Sequence, residues 1–140
     1  MLLVWAVSCD SYELHEDGTA DIFGAGFDTF RVESLPIELE IQILLRLILL
    51  EDERDEIDVL VLGPGLALLH EGTFEIEATP GTNHRPGYDV NQIEPLRLAF
   101  IAETEGVHSV EIYAGGKRDE TLSDERRRTL FFNVREGLPE

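Results

Sequence analysis

Apolar and polar residues alternate along much of this chain with a period of two, and turn residues interrupt the alternation at short intervals. Phe74, Ile76 and Ala78 fall on one side of their segment, and Thr73, Glu75 and Glu77 on the other. Leu96, Leu98, Phe100 and Ala102 form a second row of the same kind. Successive side chains of a strand point to opposite faces, so this is the pattern of strands with one buried and one wetted face. Turn clusters at 15–18, 34–36, 51–55, 63–65, 79–87, 105–106 and 115–116 separate nine such segments. These are 3–8, 19–32, 37–50, 57–62, 66–69, 73–78, 96–103, 107–113 and 129–134. The spacing predicts an all-β fold, a single antiparallel β-sandwich of about seven to nine strands.

Segment 37–50 carries two conflicting signals. Its Leu, Glu, Gln and Arg content favours a helix by propensity. Yet every odd position from Ile37 to Leu49 is apolar, while Glu38, Glu40, Gln42 and Arg46 hold even ones. A helix would spread the apolar residues around most of its circumference, so the period-two pattern predicts a long central strand. Gly24 and Gly26 inside segment 19–32 read as a bulge bending one long strand. Outside the strands only 120–128 has helix potential. The row pattern predicts that Trp5, Val7, Ile22, Leu39, Ile41, Ile43, Phe74, Ile76, Leu98, Phe100, Ile112, Phe132 and Val134 are buried between two sheets.

Length and composition narrow the classes. At 140 residues the chain fits one domain, residues 1–140, and a core of that size needs no disulfide staple. Its 43% apolar content is that of a globular chain despite a formal charge of −18. That charge argues against nucleic acid, whose backbone is held by Lys and Arg, and against anionic membrane surfaces. The apolar N-terminus lacks a basic n-region and reads as a first strand, not an export signal. The longest apolar run, 37–50, contains too many polar groups to be a transmembrane helix. Cys9 is the single cysteine, so no intrachain disulfide forms and an oxidising compartment is not indicated. The expected location is the cytoplasm.

Candidate chemistry is sparse. His15, His70, His84 and His108 show neither HxH nor HExxH spacing, and Cys9 has no CxxC partner, so no zinc site is expected. Each histidine reads as a turn or surface residue, and Cys9 as a packing residue. Nucleophile-elbow, Walker-type and dinucleotide motifs are absent. The acidic run 51–58 lacks the ligand spacing of an EF-hand and has Arg54 in its midst, so it reads as a solvated hairpin, not a calcium loop. Arg126, Arg127 and Arg128 form the sole basic cluster, read as balancing the acids that precede it. The most distinctive segment is 79–89, where Pro and Gly punctuation surrounds Asn83, His84, Arg85 and Tyr88. It is either a plain crossover between sheets or a binding loop, with those four residues as its contacts.

Several features together resemble an uncharacterised family of small bacterial immunoglobulin-like β-sandwich proteins. They are the first strand ending in Cys9-Asp10, Gly24-Ala-Gly-Phe27, Pro36 opening a long strand, Asp58-Val-Leu-Val-Leu-Gly-Pro-Gly65 and Phe132-Asn-Val-Arg-Glu136. The resemblance implies an immunoglobulin-like sandwich and carries over no catalytic residue. The expected function is a non-enzymatic protein-interaction or ligand-binding module without a cofactor. Alternatives are an acidic DNA-mimic that occupies a basic protein site, and a calcium-dependent module or enzyme. Leu44, Ile48 and Leu50 lie on the even face of the long strand. Together with Leu60, Leu62 and Phe131 on outward positions elsewhere, they predict a homodimer that covers an apolar patch.

Overall fold

The computed structural model describes residues 1–26, 28–115 and 126–137. Ten strands are present among them: β1 (Leu2–Cys9), β2 (Ser11–Leu14), β3 (Ala20–Phe23), β4 (Thr29–Val32) and β5 (Ile37–Leu49), then β6 (Arg54–Leu62), β7 (Leu68–Glu77), β8 (Val90–Ala102), β9 (Gly106–Ala114) and β10 (Arg127–Glu136). They form a three-stranded sheet β1-β5-β8, a five-stranded sheet β4-β10-β9-β6-β7 and a two-stranded hairpin β2-β3. The chain is therefore all-β, with more strands than the seven to nine expected. All neighbours are antiparallel except β4, which runs parallel to β10. Among the described residues no helix is long and apolar enough to cross a membrane.

The long strand is confirmed over Ile37–Leu49, and its odd positions explain the core. Ile41, Ile43, Leu45, Leu47 and Leu49 lie beside Leu96, Leu98 and Phe100 of the same sheet and pack in one core with Ile57, Val59, Val61, Val110, Ile112, Phe132 and Val134 of the other. Leu39 and Phe74 are only partly buried against this core. Trp5, Val7 and Ile22, expected between the sheets, lie elsewhere. Trp5 pairs with Arg46 and Val7 with Leu44, which places both on the opposite face of the three-stranded sheet. There the hairpin forms a third layer, and Ile22 lines a cleft with Trp5 and Ile93.

That layer exists because segment 19–32 is two strands, not one. Gly24 and Gly26 take positive φ, 63° and 74°, where side chains are disfavoured. A Cβ on Gly24 would collide with the Asp10 carboxylate. The turn instead lets Gly26 N–H donate to Ser8 O at 2.7 Å, and the chain then leaves the hairpin to join the five-stranded sheet as β4. Segments 66–69 and 73–78 likewise merge into one strand, β7. Of the 120–128 segment, residues 120–125 fall outside the described residues, and Arg127 and Arg128 begin β10.

The hairpin overturns the premise of the dimer patch. Leu44 is fully buried within its own chain, so it offers nothing to a second copy. Ile48 is half-buried, and Leu50 lies exposed in the turn beyond the strand. Leu60, Leu62 and Phe131 belong to the other sheet, so the six residues make no common surface. Alternation reports which residues share a face, but not which element covers it.

Two polar side chains bridge the seams between sheets. Arg128 points inward from β10 and donates to Leu3 O and Val4 O of β1, at 3.2 and 3.3 Å. On the opposite seam Gln92, buried on β8, accepts from Thr79 N–H at 2.7 Å and donates to Glu77 O at 3.1 Å. Each satisfies strand-edge groups that a neighbouring strand would otherwise pair. His108 also departs from expectation, for it is a core residue. Its ring stacks on Phe132 with centroids 5.2 Å apart, and its Nδ1–H donates to Gly106 O at 2.9 Å. Among the described residues its buried Nε2 has no hydrogen-bond partner.

Candidate functional site

The β5–β6 turn, the 79–89 connection and the start of β10 lie at one end of the sheets, because β5, β7 and β9 end there and β6, β8 and β10 begin there. The hairpin tip joins them. Thr82 donates from both its N–H and its hydroxyl to Glu16 O, each at 3.3 Å. Between the tip and the connection opens a concavity of about 280 Å³, and Asn83, His84, Arg85 and Tyr88 all line it with Asp17 and Asp89. The four residues singled out in the sequence are thus brought together.

The loop is shaped by its own hydrogen bonds. His84 Nε2 lies 2.8 Å from Tyr88 O, and since a carbonyl only accepts, Nε2 carries the proton. Gly87 N–H donates to Glu51 Oε1 at 2.7 Å, and Glu51 Oε2 sits 3.9 Å from His84 Nδ1. Glu51 is therefore a supporting residue, although local pattern shows it only as part of an acidic run. Asp17 is held below the usual carboxylate range by the Thr19 hydroxyl at 2.6 Å and the Thr19 N–H at 3.0 Å. What remains outward is the Tyr88 ring, 65% exposed, with the Arg85 guanidinium and the Asn83 amide. Arg85 makes no ion pair among the described residues.

No protein-family model, curated protein or solved structure matches this chain. Chemistry must therefore be read from the residues alone. Other side chains considered in the sequence are separately engaged. Glu53 accepts from the N-terminal ammonium at 2.7 Å and from Leu50 N–H at 3.0 Å. Burial pushes its carboxyl up, but these two bonds outweigh that and hold it below its ordinary range. Arg54 pairs with Glu77 at 2.9 Å, and Asp58 accepts from the Thr73 hydroxyl at 2.7 Å. Cys9 is buried, and desolvation, helped by the Asp10 charge, raises its pKa and keeps the thiol protonated at neutral pH. His15 pairs with Asp21 at 3.0 Å, both exposed, and that hydrogen bond raises its pKa. Among the described residues no three His, Cys, Asp or Glu side chains gather as a metal set.

On the other flank of the hairpin tip, Glu94 and Gln92 line a groove of about 300 Å³. Burial raises the Glu94 pKa, against the opposing hydrogen bond from Gln92 Nε2 at 2.6 Å. A carboxyl whose folded pKa exceeds its unfolded one loses stability as pH rises through that interval. Glu94→Gln keeps an acceptor for Gln92 and removes the charge. Its Tm is expected to exceed wild type at pH 7, with the gain vanishing below about pH 4, where the unfolded carboxyl also takes its proton. Thermal melts at both pH values check this; an equal gain at both would show that charge burial is not the cause.

Proposed function

We propose that this chain is a non-enzymatic protein-interaction module with an immunoglobulin-like sandwich core, and that it binds through the end where the 79–89 loop meets the hairpin tip. The observation that carries the reading is the convergence of Asn83, His84, Arg85 and Tyr88 on one concavity held by internal hydrogen bonds. A loop already fixed in shape loses less conformational entropy on binding. Tyr and Arg are enriched at protein contacts, and Tyr supplies a large rigid area with few rotatable bonds. At about 280 Å³ the concavity is at the small end of the roughly 300–1,000 Å³ of pockets that enclose drug-sized molecules. It suits one inserted side chain of a partner.

The immunoglobulin-like reading is supported by strand order. If β5, β6, β8, β9 and β10 correspond to strands B, C, E, F and G, then β1-β5-β8 reads A-B-E and β10-β9-β6-β7 reads G-F-C-C′. In variable-type domains the loops at one end of that arrangement are the binding loops. Acidic side chains are shared among both outer faces, the hairpin and the turns, which suits solubility better than mimicry of a phosphate stripe. The test is an affinity pull-down from the native host with mass spectrometry, using wild type, Tyr88→Ala and Arg85→Ala. A partner retained by wild type and lost by both variants is the expected result. Identical recovery with all three baits would discard this end as the contact.

A further inference from the structure

The outer face of the five-stranded sheet carries an apolar band. Phe131 stands opposite Ser109, Ser109 opposite Leu62, and Leu62 opposite Leu68, so one row crosses β10, β9, β6 and β7. Val107 follows on the same face of β9. Phe131 is 67% exposed, Val107 56% and Leu68 54%. Charges flank the band, arginines on the β10 side of β9 and mainly acids on the β6 side, where Arg54 is paired with Glu77. Arg127 and Arg135 occupy outward positions of β10, and Arg31, opposite Arg135, continues them on β4. Glu56 and Asp58 occupy outward positions of β6, and Glu75 of β7.

We infer that this face binds a second copy of the chain, about a two-fold axis lying along β9. Such an axis exchanges the β10 and β6 sides and keeps each row in register. Phe131 then packs on the partner's Leu62. Arg127, Tyr113 and Asp58 share one row, so Arg127 meets the partner's Asp58. Ser109 lies on the axis, where a small side chain lets two sheets approach to the ~10 Å of face-to-face packing. Glu111 meets its own copy near the axis, and the Tyr113 hydroxyl, donating to it at 2.7 Å, moderates the repulsion. A purely cationic partner would match the β6–β7 side and be repelled by the arginines of β10 and β4. Two-fold rotation of the same face satisfies both sides.

Light scattering at micromolar concentration tests this. Wild type is expected at twice 15.8 kDa and Phe131→Glu at 15.8 kDa. A monomeric wild type overturns the inference, as does a Phe131→Glu protein that stays dimeric. Circular dichroism establishes that the variants keep their strands, and a charge exchange guards against a folding defect. Arg127→Glu and Asp58→Arg should each weaken the dimer roughly tenfold, and both in one chain should restore it, because each reversed charge then meets the other. A double variant no tighter than the singles places the axis wrongly and overturns the pairing.

Discussion

Phe100→Ala is expected to lower the free energy of unfolding by about 3–5 kcal/mol, the usual range for removing a buried phenyl ring. Phe100 is 4% exposed on the inner face of β8, opposite Leu39 of β5. Its ring centroid lies 5.7 Å from that of Phe132 on β10 and 6.5 Å from that of His108 on β9. Phe132 in turn meets Phe30 of β4 edge-on at 5.5 Å. One ring thus joins the three-stranded sheet directly to two strands of the other and, through Phe132, to a third, and a cavity there is walled by strands that cannot easily collapse. Urea denaturation should show a lower midpoint with an unchanged slope. A loss below about 1 kcal/mol would mean that the sheets close around the gap.

Leu44→Ala is the second large effect, about 2–5 kcal/mol for a buried leucine against roughly ±0.5 kcal/mol for a surface position. Leu44 has no exposed area, though it sits on the face of β5 opposite the main core. It lies between Val7 and Pro95 on neighbouring strands, on the face where Leu14 and Ile22 of the hairpin line clefts with Pro95, Trp5 and Arg46. The variant should also expose the hairpin tip to limited proteolysis, since the hairpin has no other sheet to join. A Leu44→Ala protein as stable as wild type would show that the hairpin does not seal this face.

Where the 79–89 loop meets the hairpin tip, the sequence was informative for the side chains and silent on their supports. Asn83, His84, Arg85 and Tyr88 are close in the chain, so a single loop was bound to keep them near one another. Asp17 and Glu51 reach the same place from 66 and 36 residues away, between the Glu16–Thr82 and Glu51–Gly87 bonds they accompany. Such partners are set by sheet pairing, which local pattern does not encode.

The same division holds for the fold. Alternation by itself determined that 37–49 is a strand, that its odd positions face inward, and that Phe100, Phe132 and Ile112 share a core, because strand side chains change face at every residue. Only the tertiary structure decided what covers the even positions, since that depends on two glycines turning the chain so that four-residue strands fold back over β5. It likewise decided that His108 is a core residue. Alternation with Val110, Ile112 and Ala114 sets only the direction of its side chain; its enclosure comes from the rings of Phe100 and Phe132, brought by strands remote in the chain.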